Sequence, residues 1–167
     1  MLKKFFGCYP MSNPGRALQR KLLLVDDDES IREALTAIFE KEGYAVRAVK
    51  SGLDAIEACG KAFYHAALIE LKLPDIGGIE LLSKLRAIHS RMVTIIVTGY
   101  PTVQNAVQAL NLGADAYVMK PFDPRELVVT VKNKLNDSLQ NEVMTSKKIA
   151  EFIASKALEH GYESYQS

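Results

Sequence analysis

Six polar side chains in this 167-residue chain stand where short apolar runs end, and their types suit the handling of a phosphoryl group. Asp26, Asp27 and Asp28 follow LLLV (Leu22 to Val25), Glu70 closes HAALIE, Thr98 follows VTIIV, and Lys120 follows the run at Ala116 to Met119. Clustered carboxylates suit a hard cation such as Mg²⁺, which takes oxygen ligands and keeps several waters. The cation neutralises charge on a phosphoryl group, while an ammonium adds a point charge and a hydroxyl a hydrogen bond to its oxygens. Each residue alone has a plainer reading: an Asp run or Thr98 can cap a helix, and Lys120 can be a surface cation. Four strand ends aimed at one edge favour the joint reading, because open parallel sheets bind ligands outside the carboxyl ends of their strands.

The elements that must position these residues alternate along the chain. From Lys21 onward, apolar runs alternate with helical patterns, which predicts a parallel sheet covered by helices on both faces. Strands are predicted at Leu22 to Val25, Ala45 to Val49, His65 to Glu70, Val93 to Val97 and Ala116 to Met119. Between them lie helices that bury Ile31, Leu35, Ile38 and Phe39 (ending near Gly43), a helix capped by Ser51 and running to Gly60, and one carrying Ile79, Leu82 and Leu85. The next, capped by Thr102 and closed by Gly113, is predicted to bury Val103, Ala106, Val107 and Leu110. Asp123 as N-cap, Pro124 at the first helical position and Glu126 in a capping-box pattern start the last core helix, docked by Leu127, Val128, Val131 and Leu135.

In this order, with the surrounding motifs LLLVDDD, LIELKLPDIGG, IIVTGY and ADAYVMKPF, the chain resembles the response-regulator receivers of two-component phosphorelay signalling over about Lys21 to Leu135. The resemblance implies a flavodoxin-like, doubly wound α/β fold with five parallel strands in the order 2-1-3-4-5. It matches Asp26 and Asp27 to the acidic pair that holds Mg²⁺, Lys72 to a ligand acting through its backbone carbonyl, and Thr98 to the switch hydroxyl. Lys120 matches the phosphate-sensing ammonium, Tyr117 the aromatic that moves inward on activation, and Lys120-Pro121 a cis peptide position. The departure is Glu70, which occupies the phospho-acceptor position and would-be metal ligand where the family carries Asp. One extra methylene carries the carboxylate outward by about 1.5 Å, enough to spoil in-line attack. It also carries it towards Lys120, so Glu70 partly imitates the phosphorylated state, with one charge and two oxygens against nearly two charges and three. Asp75, in the following loop, is a weak alternative acceptor.

The expectation is therefore an atypical, stand-alone receiver that is not an enzyme and is cytoplasmic, with Mg²⁺ binding weakened by Glu70. Its output would be protein contact through Thr102 to Leu112, Tyr117 and Asp123 to Leu135, with a histidine kinase among its partners. Residues 1–20 read as a flexible arm, 21–136 as the receiver, and 137–167 as a helical tail without an output domain. Leu139, Val143, Ile149, Phe152, Ile153 and Ala157 give that tail helical spacing. It is expected to be a surface helix folded onto the parent domain or partly frayed, with a dimerisation helix, giving a homodimer, or a partner helix as the alternative. A net charge of +1 and the lack of a basic cluster in the tail argue against direct nucleic-acid binding. No apolar run is long enough to span a bilayer. Cys8 and Cys59 lie far apart and are expected to be free thiols. Two other readings are a Mg²⁺-dependent phosphohydrolase of the haloacid-dehalogenase kind, from the Asp-x-Asp after the first strand, and the receiver part of a transcription regulator. The first lacks a late acidic motif and a cap insertion.

Overall fold

The computed structural model describes residues 19–159, with side chains described to 155. Most of the expected N-terminal arm, Cys8 and the end of the tail lie outside the described residues, and the side chain of Ala157 is not described. Strands β1 (Lys21–Val25), β2 (Ala45–Val49), β3 (Ala66–Ile69), β4 (Val93–Thr98) and β5 (Ala116–Met119) alternate with helices α1 (Glu29–Lys41), α2 (Gly52–Lys61), α3 (Gly78–Ile88), α4 (Val103–Asn111) and α5 (Pro124–Glu159). All strand pairs are parallel, and the sheet order is β2-β1-β3-β4-β5, as the resemblance implied.

Strands buried on both faces read as unbroken apolar runs, and here alternate residues feed two cores. Leu23, Val25, Ala67, Ile69 and Ile96 pack with Leu81, Leu82 and Leu85 of α3 on one face. Leu22, Leu24, Leu68, Ile95 and Val97 meet Leu35 and Phe39 of α1 and Leu127, Val131 and Leu135 of α5 on the other. The helix starts follow local chemistry. Asp28, Ser51 and Thr102 accept bonds from the amides of Ile31, Asp54 and Asn105 at 3.2, 3.2 and 3.0 Å, and Asp123 accepts from Arg125 at 2.7 Å. After α1 and α4 the chain turns through a left-handed conformation, and glycine stands at both places, Gly43 and Gly113 with φ of 90°.

Two expectations are corrected. The predicted buried face of α4 is exposed: Val103, Val107 and Leu110 are 78%, 51% and 54% accessible, and the helix docks through Ala109, with Ala106 half-buried. Periodicity identifies an apolar face but not what covers it, and small alanines let α4 lie against β5 with its larger aliphatics outward. Of the forms expected for the tail, the described residues do not take the one folded onto the domain. No glycine or proline interrupts residues 125–159, so α5 continues straight past Leu135, its last buried residue, and Leu139, Val143, Ile149 and Ile153 are exposed. Cys59 is a free, buried thiol, its pKa pushed up to about 11 by burial.

Candidate functional site

Register brings the site together. Val25 of β1 pairs with Ile69 of β3, so the next residues, Asp26 and Glu70, emerge side by side at the carboxyl edge. The Glu70 amide extends the ladder by donating to the Val25 carbonyl at 2.9 Å. On the other flank Thr98 pairs with Met119, and the Lys120 amide donates to the Thr98 carbonyl at 2.8 Å. Neighbouring strands lie about 5 Å apart, so side chains leaving the ends of β1, β3, β4 and β5 converge within hydrogen-bonding reach.

There the Lys120 ammonium lies 2.5 Å from Asp26 Oδ2 and 2.9 Å from Glu70 Oε2. The Thr98 hydroxyl donates to Glu70 Oε1 at 2.5 Å, and Oε1 also accepts from the amides of Leu71 at 2.6 Å and Lys72 at 3.2 Å. Glu70 Oε2 accepts from the Gly99 amide at 3.3 Å. Asp26 Oδ1 accepts from the Asp28 amide at 3.0 Å. Both carboxylate side chains are 3% exposed and the lysine 17%.

The two acids respond differently to this shared environment. Burial pushes the Glu70 carboxyl up, but the hydrogen bonds from Thr98, Lys120 and the Lys72 amide together outweigh it and hold Glu70 below the usual carboxylate range. At Asp26 burial wins over the bonds from Lys120 and Asp28, and the neighbouring Glu70 charge adds to it, so its pKa is raised. Burial disfavours the charged lysine, yet Asp26 and Glu70 outweigh it and raise the Lys120 pKa.

The remaining candidates lie around this cluster. Tyr117 pairs with Ile96 in the sheet, and its hydroxyl is buried with no hydrogen-bond partner. Burial raises its pKa, offset in part by the nearby Thr102 backbone. The Lys120-Pro121 bond is cis. Asp27 is exposed on the next turn; its backbone carbonyl and that of Asp26 both accept from Arg32 Nη1 at 2.9 Å. The Lys72 side chain, expected to matter little, lies over the Tyr100 ring at 4.4 Å and so joins the loops that carry Glu70 and Thr98.

Sequence reasoning missed two supports of the site. Asp75 accepts from the amides of Gly52, Leu53 and Ile76 at 2.9, 2.7 and 2.8 Å, which staples the β3–α3 loop to the start of α2. Burial pushes its carboxyl up, but those bonds together outweigh it and hold its pKa at about 2. Gly78 lies directly under the backbone of Glu70 and Leu71: a Cβ there would stand 2.4 Å from the Glu70 carbonyl oxygen. The Pro-Asp-Ile-Gly-Gly turn was the available signal for both.

The donor set as arranged does not fit a divalent cation. All four oxygens of Asp26 and Glu70 already accept hydrogen bonds, and among the described residues no three His, Cys, Asp or Glu side chains are grouped to hold a metal. The pocket as it stands holds the Glu70 carboxylate between the Thr98 hydroxyl and the Lys120 ammonium.

Residues 22–132 match the family model described as the response regulator receiver domain. The transcriptional regulatory protein SrrA of Staphylococcus aureus is 34% identical over 130 residues, which cover 78% of this chain and 54% of that protein. The chain thus spans about half the length of the curated relatives it matches. A CheY-like response regulator receiver domain protein from Methanospirillum hungatei JF-1 superposes with a TM-score of 0.72 at 39% identity, covering 74% of this chain and 98% of that one. A putative response regulator from Chloroflexus aurantiacus J-10-fl does so with a TM-score of 0.66 at 32% identity, covering 71% and 98%.

Proposed function

The chain belongs to the response regulator receiver family, and from that premise we propose that it is a signalling unit in which Glu70 acts as a resident substitute for the phosphorylated acceptor. The observation that carries this reading is a single one. The Glu70 carboxylate engages Thr98 at 2.5 Å and Lys120 at 2.9 Å at once, the two groups that would otherwise gather around a phosphoryl group, while the Tyr117 hydroxyl is buried. Glu70 is also a poor acceptor, because both its oxygens are occupied and its carboxylate sits about 1.5 Å further from the backbone than that of Asp.

Output is contact with a partner protein, and the chain acts in the cytoplasm. The surface for that contact is the exposed aliphatic face of α4, Val103, Val107 and Leu110, continued by Met119 of β5 and the start of α5. Aliphatic area of this kind, rimmed by polar residues, is what a protein partner covers. Family members contact histidine kinases and other proteins, and a kinase that binds this chain without phosphorylating it fits the Glu70 reading. A second reading, favoured by the named role of the Staphylococcus aureus relative, is that the receiver governs transcription through a DNA-binding partner or segment.

Intact mass after incubation with Mg²⁺ and a small phosphodonor tests the proposal. The native chain should gain no phosphoryl mass and Glu70→Asp should gain one. A hydroxylamine-sensitive gain on Glu70 itself would overturn it.

A further inference from the structure

We infer that Lys120 stands in for a metal in this pocket: its ammonium is the built-in counter-cation of Asp26 and Glu70, and the switch is set with no divalent ion bound. This deepens, and rests on, the reading of Glu70 as a resident effector. Every oxygen of the two carboxylates is already engaged. Asp26 Oδ1 is held by the Asp28 amide, Asp26 Oδ2 and Glu70 Oε2 share the ammonium, and Glu70 Oε1 takes Thr98 and two backbone amides.

A magnesium ion demands near-ideal octahedral oxygen geometry and gives up its waters reluctantly. To enter here it would have to strip two carboxylates that are 3% exposed, displace the ammonium from both, and find its remaining ligands without a third grouped acid among the described residues. Asp27 does not supply that third group: it is exposed at the following bend and is not grouped with Asp26 and Glu70. The longer side chain of Glu70 creates this situation, because it reaches Thr98 and Lys120 directly and closes the gap a bridging cation would fill.

The test is a Mg²⁺ titration of the full ¹⁵N-labelled chain after chelator treatment, following the amides of Asp28, Leu71 and Gly99, each of which donates to one of the two carboxylates. The native protein should show no saturable shift into the tens of millimolar and the same Tm in Mg²⁺ as in chelator. Lys120→Gln, with the counter-cation removed, should bind Mg²⁺ at least about tenfold more tightly than the native chain and gain Tm on its addition. A saturable native response at low millimolar Mg²⁺ that Asp26→Asn abolishes would overturn the inference, and so would a folded Lys120→Gln variant with no gain in affinity. Should that variant fail to fold, the native titration decides alone. Failure here is distinguishable from failure of the resident-effector reading, which is judged by phosphoryl mass on Glu70 and not by metal.

Discussion

Two carboxylates placed side by side at the ends of β1 and β3 repel each other, and the Lys120 ammonium between them is what makes the placement tolerable. Removing one member of a buried ion pair leaves the other charge uncompensated, which costs about 3–5 kcal/mol. Lys120→Met should therefore lose most of that amount in urea unfolding at neutral pH, and the loss should shrink in acid as the two carboxyls protonate. A change below about 1 kcal/mol would mean that water, not Lys120, solvates the pair. At the opposite end of the sheet, His65 Nδ1 accepts from the Lys21 amide at 2.9 Å, an acceptor role that protonation destroys. Burial lowers the His65 pKa below its ordinary 6.5, and the charges of Arg20 and Lys21 press the same way. A depressed folded pKa means the contribution is complete above 6.5 and is lost as pH falls through the folded value. The stability difference between the native chain and His65→Asn, which keeps a side-chain acceptor that does not titrate, should shift in favour of the variant over that window; a pH-independent difference would refute the linkage.

The element that governs the site is the β3–α3 loop, and it is held by contacts no composition or periodicity could disclose. Asp75 fixes its middle to α2, and Gly78 lets the first turn of α3 tuck under the Glu70 and Leu71 backbone, the Gly78 amide donating to the Leu71 carbonyl at 2.8 Å. A Cβ at position 78 would meet backbone atoms at 2.4 and 2.6 Å, and backbone cannot rotate away as a flexible side chain can. Gly78→Ala should thus cost about 1–3 kcal/mol and shift the Leu71, Lys72 and Gly99 amide resonances by dragging Glu70 out of place. Gly77→Ala next to it, where a Cβ meets nothing within 4 Å, is the control and should leave those resonances where they are. The contrast shows where sequence reading ran out. Strand runs, caps at Ser51 and Thr102, and polar residues at strand ends were legible because each is a local choice of residue type. That Gly78 and not Gly77 must be glycine, that Asp75 is a staple, and that the α4 aliphatics face outward all depend on what lies across from them in space.

At the scale of the whole molecule, a five-stranded parallel sheet with two closed cores accounts for residues up to Leu135, and the described residues of α5 beyond it add to neither core. The contact described between that extension and the domain, Arg91 with Glu142 at 3.9 Å, is an exposed ion pair of the kind that contributes little. Helix propensity and i,i+4 pairs such as Lys147 with Glu151 are what maintain the extension, and isolated helices sustained only in this way are marginal in water. The receiver should therefore be thermodynamically complete without it. A chain ending after Asn136 is expected to match the unfolding free energy of the full chain within about 0.5 kcal/mol. Amides beyond Leu139 in the full chain should exchange with solvent orders of magnitude faster than those of β1 and β3, because opening the extension exposes no core. If truncation instead costs several kcal/mol, or if the full chain gains stability with its own concentration while the truncated chain does not, the exposed Leu139, Val143, Ile149 and Ile153 are covered in solution by a second copy, and the folding unit is larger than one domain.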